Sequence, residues 1–118
     1  MEERLIIKEM IDSPLAVSSE KGKPIYERLQ KNISNNIFTI IDFSGIKSLT
    51  TAFLNVAIGE LYRTGTSKDL NQQVKIDTST LTPSQFKKIK LVMENSKTKY
   101  NKDLKKNIDE VTLYGESH

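Results

Sequence analysis

Apolar positions along the chain recur with two different spacings, and the segments alternate between them. Residues 37–41 are β-branched or aromatic nearly throughout, which predicts a strand covered on both faces. Residues 5–7 predict a shorter first strand, and the alternating residues 73–77 predict a strand near a sheet edge. Two further short runs, residues 15–17 and 111–114, predict a brief strand returning against the first one and a last strand.

Helical spacing fills the segments between these strands. Pro24 suits the first position of a helix, because its missing N–H would have no intrahelical partner there. The stripe that follows ends at Asn35 and Asn36, and it consists of Ile25, Leu29 and Ile33. A second amphipathic helix is predicted from the threonine pair at residues 50–51 to Tyr62, ending before Gly65.

A third helix has the clearest predicted start in the sequence. Thr82, Pro83 and Gln85 form a capping box, with threonine as N-cap, proline at the first helical position and glutamine two positions later. The predicted buried stripe of this helix consists of Phe86, Ile89, Val92 and Met93.

The alternation of strands and helices predicts the fold class. It implies βαβ units with right-handed crossovers, so we expect one α/β domain over residues 1–118. Its sheet should be small and mostly parallel or mixed, with about four strands packed against three main helices. Ligands of such sheets bind at the carboxyl ends of the strands, where Asp42, Ser44, Thr50 and Thr51 are predicted to lie.

Composition removes several classes of chemistry. The chain has no cysteine, and its one histidine is the final residue, His118, so thiolate chemistry and histidine-based catalysis within one chain are excluded. No paired carboxylates form a recognisable motif, so we expect a non-enzymatic protein without a metal or cofactor. No apolar run of about 18 residues occurs, and the acidic start is unlike a secretory signal, so a cytoplasmic, non-membrane protein is expected.

The net charge of +3 is concentrated between Lys87 and Lys106. One interpretation is the ordinary solvated face of a helix, because surface charge keeps proteins soluble. The alternative is a nucleic-acid-binding surface on a basic C-terminal helix.

The segment from Asp42 to Phe53 carries the candidate chemistry. Asp42 ends the strongest strand and precedes Ser44-Gly45, so it either caps a turn or acts as an acid, a base or a Mg²⁺ ligand. Thr50 and Thr51 open a helix, where a hydroxyl caps the first turn and where a phosphate would be stabilised. Capping alone and phosphate acceptance are both compatible with this placement.

This segment resembles a known family. The apolar strand, Asp42, Phe43, Ser44-Gly45-Ile46 and then residues 49–54 are similar to the STAS domains of bacterial anti-sigma-factor antagonists. They are more closely similar to the STAS-like domains of uncharacterised function. The resemblance covers roughly residues 5–95 and leaves residues 97–118 as a C-terminal extension. It implies a STAS fold and a partner-switching role in bacterial signalling, with a serine kinase of the histidine-kinase-like ATPase type, or another signalling protein, as the partner.

One departure from the family pattern concerns the phosphate acceptor. The resemblance places the acceptor serine of the antagonists at Ala52, which cannot be phosphorylated, and matches Thr51 and Thr50 to the two preceding positions. Either threonine is therefore a candidate acceptor in its place. The predicted partner-binding surface runs along the strand end and helix start, and it consists of Asp42, Ser44, Gly45, Thr50, Thr51, Ala52 and Phe53.

Overall fold

A three-stranded parallel sheet forms the centre of the molecule. The computed structural model describes residues 1–63, 65 and 67–112, with side chains as far as residue 99 except for those of residues 67 and 68. The strands are β1 (Glu2–Ile6), β3 (Phe38–Asp42) and β5 (Val74–Ile76), and they lie in the order β1-β3-β5. The predicted α/β class with parallel pairing is confirmed, and β3 is the central strand.

Helices connect and cover these strands. Within the described residues, the α-helices are α1 (Ile7–Ile11), α2 (Ser19–Ser34), α3 (Thr51–Ala57), α4 (Ser67–Gln73) and α5 (Pro83–Thr112). Two short 3₁₀ helices, Gly59–Arg63 and Thr78–Thr80, lie between them. No helix of this described part of the chain is long and apolar enough to cross a lipid bilayer.

The brief strand predicted at residues 15–17 has a different partner from the one expected. β2 (Leu15–Ala16) pairs in parallel with β4 (Ser48–Leu49) in a separate two-stranded sheet, so the prediction that it returns against the first strand is wrong. Asp12 adopts a left-handed conformation with φ of 53°, which reverses the chain after α1. The carbonyl of Pro14 then accepts a hydrogen bond from the Lys47 N–H at 2.8 Å, which leads β2 into its pairing with β4.

The predicted start of α2 at Pro24 is also wrong. The helix begins at Ser19, five residues before Pro24, which lies inside it. Ser18 is the N-cap, and its hydroxyl accepts a hydrogen bond from the Lys21 N–H at 3.2 Å. A proline destabilises a helix least at its first position. Here, however, the serine cap and the packing of Gly22 against α3 extend the helix toward the N-terminus, to residues before Pro24.

The two faces of β3 differ in burial. Thr39 and Ile41 are fully buried, whereas Phe38 and Ile40 on the opposite face are only half-buried. The second face is therefore covered less completely than the prediction of a strand covered on both faces implies. The buried core lies on the face that α2, α3 and α5 cover, and it includes Leu29, Phe53, Leu54 and Val92.

The second predicted helix is divided, because α3 ends at Ala57 and a 3₁₀ helix continues to Arg63.

The capping box of α5 forms as predicted: the Thr82 N–H donates to Gln85 Oε1 at 3.0 Å, and the Gln85 N–H donates to Thr82 Oγ1 at 3.2 Å. Phe86, however, is 44% exposed and does not belong to the buried stripe. Residues 111 and 112 continue α5, so they are not the start of a strand, while Leu113 and Tyr114 lie outside the described residues.

Candidate functional site

The strand-end part of the predicted surface is a turn organised by Asp42. This side chain is 6% exposed, and its Oδ1 accepts a hydrogen bond from the Ser44 N–H at 2.7 Å. Gly45 follows with φ of 79°, a backbone conformation that favours glycine. A Cβ at this position would also lie 3.0 Å from Cδ of Lys8. Asp42 therefore caps the turn, which is the structural role that the Ser44-Gly45 sequence favours.

The second oxygen of Asp42 is held by a residue that the sequence pattern did not single out. Arg4 on β1 donates from Nε to Asp42 Oδ2 at 2.8 Å, and its Nη2 pairs with Asp77, which follows β5. The guanidinium thus joins carboxylates from the ends of two neighbouring strands. A lone arginine in a short strand gives no sequence signal for such a contact, because the contact depends on the order β1-β3-β5.

These contacts lower the pKa of both carboxyl groups. Burial raises the pKa of Asp42, but the hydrogen bonds from Ser44 and the pairing with Arg4 outweigh it, so that the pKa lies below its ordinary value. The pKa of Asp77 is lowered chiefly by its hydrogen bond with Ser79 and then by Arg4. Asp42 is thus held as an ionised, hydrogen-bonded carboxylate within a structural network.

An open cleft of about 650 Å³ lies beside this turn. Its walls come from the carboxyl ends of β1 and β3 and from the turn after α1. Ser44 and Gly45 are exposed on it, and Lys8 and Glu9 supply charges of both signs. This arrangement leaves hydrogen-bonding groups exposed at the strand ends.

The helix-start part of the predicted surface is organised by Thr50, the N-cap of α3. Its hydroxyl accepts a hydrogen bond from the Phe53 N–H at 3.3 Å and donates one to the Val17 carbonyl at 2.8 Å. The predicted capping role is confirmed, and the same hydroxyl also ties α3 to the segment that precedes α2. Thr51 is exposed, and its hydroxyl makes no hydrogen bond within the described residues.

Burial divides the apolar residues at this helix start. Ala52 is exposed, whereas Phe53 is fully buried in the core. The inclusion of Phe53 in a partner-binding surface is therefore wrong, because an aromatic ring at the first turn of a helix can point either outward or into the core. Its role is to fix α3 in place.

Two exposed apolar side chains, those of Leu15 and Val17, lie next to the helix-start part of the predicted surface. The sequence pattern did not assign either of them to it. Leu15 is 47% exposed and Val17 is 41% exposed. The parallel register of β2 and β4 sets Leu15 beside Ser48, and continuing it sets Val17 beside Thr50. Leu15, Val17, Thr51 and Ala52 are hereafter called the helix-start surface.

The strand-end turn and the helix-start surface are separated by a segment that packs inward. Ile46 and Leu49 are buried, so the predicted surface from Asp42 to Phe53 is not continuous along the chain. Helix α5 holds this segment from behind: Gln85 Nε2 donates to the Ile46 carbonyl at 3.0 Å, and Lys88 Nζ donates to the Leu49 carbonyl at 2.9 Å. One of the lysines considered for nucleic-acid binding is therefore engaged in the structure.

Comparisons with known proteins identify a family for this chain. A family model described as a STAS-like domain of unknown function, DUF4325, matches residues 21–81. No curated protein and no solved structure matches the chain. The matched segment runs from the first turns of α2 through β3, α3 and β5 to the residue before the α5 capping box, and so contains both the Asp42 turn and the Thr50 cap. The chain therefore belongs to the STAS-like domain family DUF4325.

Proposed function

We propose that this protein is a non-enzymatic regulatory domain that binds a protein partner through the helix-start surface. The observation that carries the proposal is the exposure of Leu15, Val17 and Ala52 beside the N-terminus of α3. Single exposed apolar residues are common on proteins, but several together, rimmed by polar side chains, are typical of an interaction site. Thr51 and Ser48, which pairs with Leu15, are exposed and provide polar side chains at that rim.

The proposed partner is a kinase of the histidine-kinase-like ATPase type. This choice is supported by membership of the STAS-like family together with the resemblance to anti-sigma-factor antagonists. Ala52 stands where the antagonists carry their acceptor serine, so the surface is permanently unmodified at that position. Regulation would then act at Thr51, because the Thr50 hydroxyl is already engaged in two hydrogen bonds.

Direct binding measurements test this function. The full chain is titrated by calorimetry with histidine-kinase-like ATPase domains from the same organism, without nucleotide and with ATP and Mg²⁺. We expect Ala52→Glu and Val17→Asp to weaken binding at least tenfold, since each places a charge in an apolar contact. Asn95→Glu, an exposed change on α5, is the matched control and should bind like the parent chain. Equal binding by all three variants would remove the helix-start surface from consideration.

Nucleic-acid binding by the lysines of α5 is the alternative from another class. Phosphate contacts make affinity fall steeply with salt, whereas an apolar protein contact responds far less. In a filter-binding assay with DNA and RNA, we expect no binding that depends on these lysines. Any binding that is detected should therefore persist in Lys87→Gln and Lys90→Gln. Lys88 is left unchanged in this test because it bonds to the Leu49 carbonyl.

A further inference from the structure

A second cavity, separate from the helix-start surface, lies between the edge strand β5, helix α5 and the 3₁₀ helix Gly59–Arg63. Its volume is about 510 Å³, within the ordinary range of roughly 300–1,000 Å³ for ligand sites. Its lining includes the buried core side chains Ile41, Leu61 and Ile89, so the cavity extends inward from the surface. Phe86, 44% exposed, also lines it, which gives the unexpected exposure of this ring a place in the structure.

Two lysines make this apolar cavity chemically asymmetric. Lys75 on β5 and Lys90 on α5 both line it, and both are exposed. Neither forms an ion pair or a side-chain hydrogen bond within the described residues. The carboxylate nearest to Lys75 in sequence, Asp77, is already paired with Arg4. Two positive charges therefore border a space whose other walls are mainly apolar.

We propose that this cavity binds an anionic amphiphile of the fatty-acid class. The hydrocarbon chain would occupy the apolar space, where its removal from water is favourable. The carboxylate would be held by Lys75 and Lys90, whose charges are complementary to it. A neutral hydrocarbon would make no use of the two lysine charges, and a small free anion would leave the apolar space unfilled.

The cavity is built partly outside the segment that defines the family. The match to the STAS-like model ends at Leu81, and α5 begins at Pro83. Phe86, Ile89 and Lys90 therefore come from a helix that the family match does not include. None of the four residues of the helix-start surface lines the cavity, so this proposal is independent of the proposed function.

Calorimetry on the full chain tests the proposal with dodecanoate, kept below its micellar concentration. We expect saturable binding of one dodecanoate per chain, weaker binding of dodecan-1-ol and no binding of butanoate. The ¹H–¹⁵N spectrum should shift at residues of β5 and of the first turns of α5. An absence of saturable dodecanoate binding would overturn the proposal. The proposal would also be overturned if a peptide of alternating apolar and acidic residues bound in this cavity and dodecanoate did not.

Matched variants assign the two parts of the site. Replacing Lys75 and Lys90 together by glutamine should weaken dodecanoate binding about tenfold, as expected for two solvent-exposed charge contacts. Lys87→Gln, on the same helix but outside the cavity lining, should leave the affinity unchanged. Equal losses in the double variant and in this control would overturn the assignment of the head-group contacts.

Filling the cavity tests where the chain binds. Met93→Trp places a larger side chain in the lining and should abolish binding, while Leu91→Trp, 50% exposed on the same helix and outside the lining, should not. Thermal melting checks that each variant folds. If Met93→Trp does not fold, Leu81→Phe provides a second variant that fills the cavity. Unchanged dodecanoate affinity in a folded filling variant would show that the ligand binds elsewhere and would overturn the proposal.

Discussion

Gly22 on α2 lies directly against the backbone of Phe53 on α3. A Cβ built on Gly22 would be 2.7 Å from the Phe53 carbonyl oxygen and 3.1 Å from the Ala57 nitrogen. Both neighbours are backbone atoms, so a side chain at this position would have to displace one of the helices. Because Phe53 belongs to the first turn of α3, this contact helps to fix the position of the helix-start surface.

We therefore expect Gly22→Ala to destabilise the fold even though alanine is the better helix former. Helix propensity favours alanine by about 1 kcal/mol. Forcing an extra methyl group into a packed contact typically costs about 1–3 kcal/mol, and backbone atoms yield less readily than side chains. The net loss in the free energy of unfolding, measured by urea denaturation, should be roughly 1 kcal/mol. Lys23→Ala, at the next and exposed position, is the control and should change stability little. A Gly22→Ala chain as stable as the parent would contradict the close α2–α3 packing.

The two neighbouring isoleucines of β3 should respond differently to truncation. Ile41 is fully buried, so Ile41→Ala should lower the free energy of unfolding by about 2–5 kcal/mol through loss of burial and creation of a cavity. Ile40 is half-buried on the opposite face, and Ile40→Ala should cost clearly less. Denaturant melts of both variants measure the difference. Similar losses would mean that the face carrying Ile40 is covered in solution.

The features of this fold that were predicted correctly are those that depend on interactions between residues close together in the sequence. The capping box at Thr82 and Gln85 and the cap at Thr50 form as predicted, because each depends on a few adjacent residues. The strand ending at Asp42 was found because β-branched and aromatic residues favour an extended, packed chain.

Features that depend on distant packing were missed. The start of α2 at Ser19 overrides the local signal of Pro24, since that turn of helix gains its contact with α3 through Gly22. The pairing of Arg4 with Asp42 and Asp77 requires the strand order, and no spacing in the sequence encodes it. Of the predicted site, Phe53 was misplaced because helical periodicity gives a repeat of apolar positions but not which residue of a turn faces the core.

Acid should destabilise the folded chain. Hydrogen bonding to Arg28 is the main cause of a lowered pKa at Glu3, and the pKa values of Asp42 and Asp77 are lowered as described above. A carboxyl group with a lower pKa in the folded state stabilises the fold above its unfolded pKa, which is about 4, and this contribution is lost as the pH falls through the folded value. We expect the melting temperature to fall progressively as the pH is lowered from about 5 toward 2.

Arg4→Gln separates the Arg4 network from the other carboxylates. Without the guanidinium, the pKa values of Asp42 and Asp77 should rise toward their ordinary values, and the melting temperature should depend less on pH between about 5 and 2. Lys75→Gln, which removes a charge from β5 without breaking an ion pair within the described residues, is the control and should keep the parent's pH dependence. A pH dependence unchanged by Arg4→Gln would show that Arg4 does not lower these two pKa values in solution.

The two threonines at the start of α3 should respond differently to a negative charge. The Thr50 hydroxyl both caps α3 and bonds to the Val17 carbonyl, so Thr50→Glu should lower the free energy of unfolding by about 1 kcal/mol or more. The Thr51 hydroxyl makes no such bond, and a negative charge in the first turn of a helix is favourable, so Thr51→Glu should leave the melting temperature nearly unchanged. Partner affinity should nevertheless fall in Thr51→Glu, because the charge lies next to the exposed Ala52.

Incubation of the purified chain with the proposed partner kinase and ATP, followed by mass spectrometry, gives the complementary measurement. We expect any phosphate to appear on Thr51, whose hydroxyl is accessible, and not on Thr50, whose hydroxyl would have to break two hydrogen bonds to react. Thr51→Ala should abolish the modification while preserving the cap, and Thr50→Ser, which retains a capping hydroxyl, should leave it unchanged. Modification of Thr50 in the parent chain would contradict the assignment of Thr51. Full partner affinity in Thr51→Glu would show that a charge at this position does not regulate binding.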